Sequence, residues 1–352
     1  MTLFPSGLGP YEQDVVAVIV MTTKAAPPLF VFVFGLTMAY VYSEQVMTPE
    51  GFAHVRRRLW TRALFAFLSF ELIVLVVETA NGSTLHVIFE RMTYRRPGSW
   101  AEVLNYYAVV LLTAPWFLRL WQNAPMSYRI LSIPVLYVAG VLLSHVAVPG
   151  SLFVLKNIIT SYPLSEVSTV RLDSFPVLQF SAFCLVGLLL GGVLYRNSAP
   201  ARRGRVLWIA GMSSIVCLIL SFLSSGDRVR DYIRSMARNY YRYPPQLPYI
   251  FFGLGLLVAI MIGCVWVFEI RGFDARAIRM VELLGRHSLL VFNLQYIIYF
   301  TGFGLVMGKF ARLGLIGSFL VVAFTTGVCL IVAGSWERWS RRHKRGTAYS
   351  LT

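Results

Sequence analysis

The segment RNYYRYPPQLPYI at residues 238–250 holds the residues best suited to bind a charged group. With the residues just before it, it collects five arginines, and Arg offers a planar fork of donors that matches carboxylate, phosphate or sulfate. Two prolines fix the backbone and set the position of Arg242 and Tyr243. We therefore predict an anionic partner here. The alternative, which is compatible with it, is a short amphipathic helix in the headgroup layer, with Arg on its wet face and Tyr and Met on the other.

Two carboxylates lie in the apolar run ALFAFLSFELIVLVVE, where an ionisable group is costly and is a functional candidate. Glu71 is in the middle of the run. Glu78 lies seven residues further on and therefore on the same helical face. Glu71 is predicted either to orient a base or pair with Arg242, or to be a structural partner for a buried polar group. For Glu78 the structural role is favoured.

Further polar side chains in apolar runs predict a polar-lined cavity, because they need hydrogen-bond partners in hydrocarbon. These side chains are Asn105, Tyr106, Gln179 and Asn293, and we assign them to substrate binding. Tyr243 and His287 are assigned to substrate binding as well, and Gln295 is considered below. His145 and His287 are the titratable histidines nearest a membrane-crossing path. The cysteines lie in apolar runs without ligand spacing, and there is no Walker, dinucleotide or HExxH motif, so neither a metal nor a nucleic acid is expected.

The elements that must carry these residues are membrane helices. Of the residues, 57% are hydrophobic and 14% are charged, which is typical of a membrane protein. Nine apolar runs are long enough to cross a bilayer and do not alternate as barrel strands do. We predict an all-α polytopic bundle forming a single domain over residues 1–352. The nine runs lie near 25–42, 59–77, 103–121, 130–148, 175–194, 206–223, 247–268, 289–307 and 315–332.

The distribution of Lys and Arg predicts the orientation, because these residues tend to stay on the cytoplasmic side. A cytoplasmic C-terminus places most arginine-rich loops inside, including the one that carries Arg56, Arg57 and Arg58. The loop that opposes this rule is the segment around Arg242, which would lie outside. With nine spans the N-terminus would lie outside as well.

Four passages resemble the multi-span membrane acyltransferases, a superfamily that includes periplasmic-glucan succinyltransferases and heparan-alpha-glucosaminide N-acetyltransferases. They are AAPPLFVFVFGLTMAYVY at 25–42, EVLNYYAVVLLTAPWFL at 102–118, RYPPQLPYIFFGLGL at 242–256 and LGRHSLLVFNLQYIIY at 284–299. The resemblance implies acyl-CoA bound from the cytoplasm, a glycan or glycolipid acceptor on the other side, and a histidine near the outer end of the first span. A bacterial inner membrane is the expected location, and the oligomeric state is unknown.

Two departures from the family pattern matter for catalysis. The opening helix with the principal histidine is absent, so we expect nine helices of a ten-helix fold, or a divergent member. Gln295 stands where many relatives have a histidine.

The roles that the acyltransferase reading requires can then be assigned. Glu71 would orient the base, Arg242 or Gln295 would donate to the oxyanion, and His145 is the remaining candidate base. The CoA phosphates would contact basic side chains, namely Arg56, Arg57, Arg58, Arg202 and Arg203. The alternatives are a transporter or flippase of an acidic glycolipid, and an inactive relative that serves as a scaffold subunit.

Overall fold

The computed structural model describes residues 10–96, 101–148, 152–161, 175–196, 200–270, 276–305 and 315–349. Within these ranges the chain forms helices and no strands. The helices are α1 Pro10–Thr23, α2 Ala26–Tyr42, α3 Pro49–Ala80, α4 Leu85–Met92, α5 Glu102–Asn123, α6 Met126–Ser144, α7 Leu152–Thr160, α8 Val177–Arg196, α9 Pro200–Ser225, α10 Val229–Ala237, α11 Leu247–Val265, α12 Arg276–Arg286, α13 Ser288–Ile297 and α14 Leu315–Tyr349. A 3₁₀ turn covers Gln45–Met47, and π-helical turns extend α11 over Trp266–Ile270 and α13 over Ile298–Leu305.

Eight helices in the described ranges are long and apolar enough to cross a membrane. They are Asp14–Tyr42, Pro49–Ala80, Glu102–Asn123, Met126–Ser144, Val177–Arg196, Arg202–Ser225, Leu247–Phe268 and Leu320–Trp339. The prediction of an all-α polytopic membrane protein is confirmed. The predicted run at 289–307 forms a shorter apolar helix, Ser288–Gly302, and the end of that run lies outside the described residues.

The chain divides into two compact units. The first comprises Met1–Phe67 and Tyr94–Arg271, and the second comprises Leu68–Thr93 and Gly272–Thr352. Helix α3 contributes its first half to the first unit and its second half to the second.

In the first unit, α2 and α8 form the most extensive helix pair because glycines let their backbones approach closely. A Cβ on Gly35 would meet the Cys184 backbone, and a Cβ on Gly187 would meet the Phe32 carbonyl group. At one end of this pair the side chains Met38, Tyr42, Leu59, Leu118 and Leu188 form part of a buried apolar cluster.

The outward faces of α6 and α9 in the same unit are apolar. Ile130, Leu131 and Leu142 of α6 are exposed, as are Trp208 and Ile215 of α9. Such faces are stable in hydrocarbon and would be costly in water. They are therefore the lipid-facing sides of these helices.

Helices α9 and α11 are joined by buried hydroxyl groups at the end that leads into the polar segment. Ser214 Oγ donates to the Gly255 carbonyl oxygen at 2.7 Å, and Ser221 Oγ donates to that of Pro248 at 2.6 Å. Ser221 also shares a hydrogen bond with Tyr232 of α10 at 2.7 Å. These interhelical hydrogen bonds connect α9 to α10 and α11 and position the start of α11.

Helix α10 is the amphipathic helix that was predicted as one reading of the arginine segment. It buries Tyr232 and Met236 and packs against α1. Its wet face makes ion pairs with Asp14 of α1, at 3.0 Å from Arg230 and 2.8 Å from Arg234. Two of the five arginines are thus used within the protein.

In the second unit, α12 and α13 pack on α14. Arg286 at the end of α12 forms ion pairs with Glu282 and, at 3.4 Å, with Glu337 of α14. These carboxylates raise the pKa of Arg286, so the guanidinium stays charged.

Candidate functional site

A cavity of about 360 Å³ lies in the first unit, where the end of α6 meets the polar turn before α11. Its lining comes from α6, α8, α9 and this turn, and is listed here: Tyr137, Val138, Val141, Leu142, Ser144, His145, Gln179, Ser224, Pro244, Pro245, Gln246, Leu247 and Pro248. The cavity thus brings together His145, Gln179 and the Tyr-Pro-Pro turn, which are far apart in the sequence. Its size falls within the range of small-molecule sites.

The walls of the cavity are mainly apolar. The hydroxyls of Tyr137, Ser144 and Ser224 donate to backbone carbonyl groups, and three other polar side chains also line it. His145 caps the end of α6 and is exposed, which leaves its ring accessible from the cavity. Gln179 of α8 is buried, and Gln246 precedes the first turn of α11. A titratable imidazole and two amides are suited to a polar ligand.

Buried polar atoms without a partner surround Gln179. Its Nε2 donates to the Thr160 carbonyl oxygen, while its Oε1 has no hydrogen-bond partner in the described part of the chain. Asn157 and Ser161, from α7 and its end, are each 1% exposed, and their side-chain polar atoms are also unpartnered there. Buried polar groups are rarely left in this state, so they indicate a place for water or a ligand.

Close helix packing fixes Gln179 against α6. A Cβ on Gly140 would lie 2.9 Å from Gln179 Oε1. Only glycine leaves room there for the amide, which explains why α6 can approach α8 at this level. The orientation of Gln179 is therefore set by the two helices and not by a flexible loop.

The turn between α10 and α11 is held by its own polar groups. Tyr241 donates to the Asp227 carboxylate, and Tyr137 Oη donates to the Pro245 carbonyl oxygen at 3.2 Å. Burial and the adjacent Asp227 carboxylate raise the pKa of Tyr241 to about 12, so its hydroxyl group remains a donor at neutral pH. The peptide bond between Tyr243 and Pro244 is cis. This turn forms one rim of the cavity.

Arg242 occupies the same turn and stacks on aromatic rings. Its guanidinium carbon lies 5.4 Å from the centre of the Phe175 ring and 5.0 Å from that of Tyr243. Its Nε is buried without a hydrogen-bond partner among the described residues. These cation–π contacts hold the guanidinium group against the two rings.

The second unit contains the two mid-helix carboxylates, and their environments differ. Glu78 is 2% exposed, forms an ion pair with Arg91 and accepts a hydrogen bond from Ser83 at 2.7 Å. Glu71 is 8% exposed, and neither of its carboxylate oxygens has a partner in the described residues. The structural role favoured for Glu78 is confirmed. The pairing of Glu71 with Arg242 stays a prediction, because the two residues belong to different units.

The amide and histidine residues of α13 are also in the second unit. Asn293 Nδ2 donates to Ser69 Oγ at 2.8 Å and thereby connects α13 to α3, while its Oδ1 is unpartnered in the described chain. Gln295 is exposed, and His287 lies at the junction of α12 and α13. Their catalytic or binding roles stay predictions.

Asn105 and Tyr106 lie at the start of α5 and are buried away from the cavity lining. Asn105 Oδ1 accepts a hydrogen bond from Tyr94 Oη at 2.9 Å. Tyr106 is fully buried, and its hydroxyl has no hydrogen-bond partner among the described residues. The binding roles of both residues stay predictions.

The basic side chains assigned to CoA lie at the ends of α3 and α9 in the first unit. Arg56 stacks on Trp60 at 5.4 Å, Arg58 stacks on Tyr42 at 5.6 Å, and Arg57 and Arg202 are exposed. Arg203 is half-buried. The structure shows exposed positive charge at these positions.

Comparisons with known proteins yielded no matching family model, curated protein or solved structure. In the residues described, no group of three or more His, Cys, Asp or Glu side chains could hold a metal ion. The site must therefore be interpreted from its own chemistry.

Three residues of the site were not singled out in the sequence: Tyr137, Asn157 and Gln246. Asn157 and Gln246 carried a signal, since one is an amide in the apolar stretch LFVLKNIIT and the other lies within YPPQLPY. Tyr137 carried none, because one tyrosine in a membrane helix is ordinary.

Proposed function

We propose that the chain is an integral-membrane acyltransferase that moves an acyl group from cytoplasmic acyl-CoA to a hydroxyl or amine of an extracytoplasmic glycan or glycolipid. The proposal includes a bacterial inner membrane and a cytoplasmic C-terminus. The observation that carries it is the cavity in which His145, Gln179 and Gln246 meet. Acyl transfer needs a base, a group that orients the acceptor and a donor for the oxyanion, and these three side chains can supply them.

The reaction can be written with these residues. The His145 imidazole removes the proton from the acceptor oxygen or nitrogen as that atom attacks the thioester carbonyl carbon. Gln179 Oε1, which is unpartnered in the described residues, accepts a hydrogen bond from the acceptor, and the Gln246 amide donates to the developing oxyanion. The carbon–sulfur bond then breaks, and the CoA thiolate leaves and takes up a proton.

Helix α6 sets the distance that the acyl group must cover. Arg129 lies near its start, at the arginine-rich end, and His145 lies at its other end. At about 1.5 Å per residue the two are roughly 24 Å apart along the helix. A donor with its phosphates at the arginine-rich end must extend its acyl group over about that length, through the bundle, to reach the acceptor.

Replacing His145 tests the proposal. In membrane vesicles with matched protein levels, we expect His145→Asn to lower the transfer of radiolabelled acyl groups from acyl-CoA to glycan by at least ~100-fold. His86→Asn is the control, because His86 is an exposed histidine that pairs with Glu90 on α4, at 3.4 Å, and is not among the residues that line the cavity. Wild-type transfer rates in His145→Asn would refute His145 as the base.

A second function, ion-coupled transport of an acidic glycolipid, is favoured by one observation. The Glu71 carboxylate is buried in the middle of a spanning helix and unpartnered in the described chain. Carboxylates in this position often carry protons or cations in transporters. This alternative predicts that function depends on an ion gradient and on Glu71.

A further inference from the structure

Lys24 and Arg242 are two positive charges at the same end of the first unit, each just before one of two helices whose starts are in contact. Lys24 lies between α1 and α2, and Arg242 lies in the turn before α11. Both cations are half-buried. Tyr249 Oη donates to the Lys24 carbonyl oxygen at 3.4 Å, which ties the break between α1 and α2 to the start of α11.

This pair has no carboxylate partner among the described residues, unlike the arginines nearby. Arg230 and Arg234 both form ion pairs with Asp14, and Asp227 accepts a hydrogen bond from Tyr241. Two like charges in a half-buried site repel each other and have lost part of their hydration. A bound anion would compensate both effects.

Two helix N-termini add to the positive potential at this place. Helix α2 begins at Ala26 and α11 begins at Leu247, and Pro28 of α2 packs against Gly253 of α11. The two helices therefore start at the same end of the first unit. The partial positive charge of a helix N-terminus favours an anion.

Arg242 is oriented for a ligand with several oxygen atoms. The Phe175 and Tyr243 rings lie against its guanidinium, and its buried Nε has no hydrogen-bond partner among the described residues. A planar fork of this kind binds two oxygens of one group, while Lys24 adds a point charge. A phosphate group offers both the charge and the oxygens.

We propose that Lys24 and Arg242 bind the phosphate of a phosphate-bearing ligand at the rim of the cavity. Arg242 is two residues from Pro244, which lines the cavity, so a ligand held there by its phosphate can reach His145 with its polar part. Resting on the function proposed above, this identifies the acceptor class as a phosphate-bearing molecule. The phosphate belongs either to a lipid headgroup or to a soluble molecule.

Binding to the purified full-length chain in detergent tests this site without any acyl donor. One arm titrates phosphatidylglycerol against diacylglycerol by native mass spectrometry. The other titrates inorganic phosphate against chloride at equal ionic strength and follows the unfolding temperature. We expect Lys24→Gln and Arg242→Gln each to weaken binding at least tenfold, and Arg242→Lys to weaken it although it keeps the charge.

Arg228→Gln is the matched control, since Arg228 is an exposed arginine before α10 with no ion pair in the described residues. It removes the same charge and should leave binding unchanged. A response to the lipid alone assigns the phosphate to a headgroup, and a response to inorganic phosphate alone assigns it to a soluble ligand. The site is refuted if the wild type binds neither probe, if both Gln variants bind as the wild type does, or if Arg228→Gln weakens binding equally.

The two proposals can fail separately. If the wild-type protein transfers no acyl group but binds phosphate through Lys24 and Arg242, the acyltransferase proposal is rejected and the anion site is retained. Normal acyl transfer in Lys24→Gln and Arg242→Gln, with unchanged binding, would reject the anion site alone. Monodisperse elution and an unchanged circular-dichroism spectrum show that each variant is folded.

Discussion

Glu71 and Glu78 illustrate how neighbouring residues on one helical face can differ in role. Both are buried, but only Glu78 has partners among the described residues, namely Arg91 and Ser83. A buried carboxylate with an ion pair contributes to folding, since its removal leaves a charge without a partner. A buried carboxylate without a partner contributes little to folding, and its presence in a membrane helix therefore indicates a functional role.

The two carboxylates therefore predict opposite effects of the same substitution. Glu78→Gln should lower the free energy of unfolding by about 1–3 kcal/mol, because it breaks the contact with Arg91, which is 23% exposed. Glu71→Gln should leave the unfolding temperature in detergent unchanged, because it removes no described contact. If the chain is a transporter, Glu71→Gln should abolish gradient-dependent uptake. Equal destabilisation by both substitutions would show that Glu71 also has a structural partner.

Individual site residues were predictable from sequence to different degrees. His145 and Gln179 were identified as polar residues in apolar runs, because the free-energy cost of a polar side chain in hydrocarbon can be inferred from the sequence alone. The same rule selected Asn105, whose contact with Tyr94 is structural. The sequence around Lys24 gave no such indication, because Lys24 becomes significant only when folding brings the start of α2 against the start of α11. The free-energy cost of burying a polar side chain can be inferred from the sequence around it. The partner that offsets this cost is known only from tertiary contacts.

At the scale of helices, glycine controls how closely α2 and α8 approach. Gly187 faces α2, where an added Cβ would meet the Phe32 carbonyl group. Gly192 is on the same helix, five residues further on, and an added Cβ there would meet nothing within 4 Å. The two positions thus separate the effect of packing from that of helix propensity.

Alanine substitutions on α8 test this difference. Gly187→Ala should destabilise the protein by about 1–3 kcal/mol or more, because two helix backbones must move apart. Gly192→Ala should be neutral or stabilising by up to about 1 kcal/mol, because alanine favours a helix over glycine. Unfolding temperatures in detergent measure both. A stable Gly187→Ala protein would mean that α2 and α8 are further apart than described.

Helices were more predictable than their ends and partners. Apolar runs indicated the spanning helices, since a bilayer imposes a minimum length on them. The start of α3 at Pro49 was missed because its first turns are polar, and the prediction began at residue 59. Helix pairing was not predicted at all, since the glycines that permit it look alike in the sequence whether or not they face a neighbour.

At the scale of the whole molecule, the arginines fall into two groups with different surroundings. One group, which includes Arg57, is exposed at the end where α3 begins. The other surrounds α10, where Arg230 and Arg234 share one carboxylate partner, Asp14. A carboxylate offsets one positive charge of its loop and so weakens the topological signal of that loop. The external location of this segment stays a prediction.

The orientation can be tested with single cysteines in intact cells. Arg238 is exposed just after α10, and Arg57 is exposed in the first part of α3. If the α10 end is external, Arg238→Cys should react with a membrane-impermeant maleimide, and Arg57→Cys should react only after permeabilisation. The wild type, with Cys184, Cys217, Cys264 and Cys329, gives the background labelling. The reverse pattern would place the cavity on the cytoplasmic side, and the acceptor of the proposed reaction would then have to be a cytoplasmic molecule.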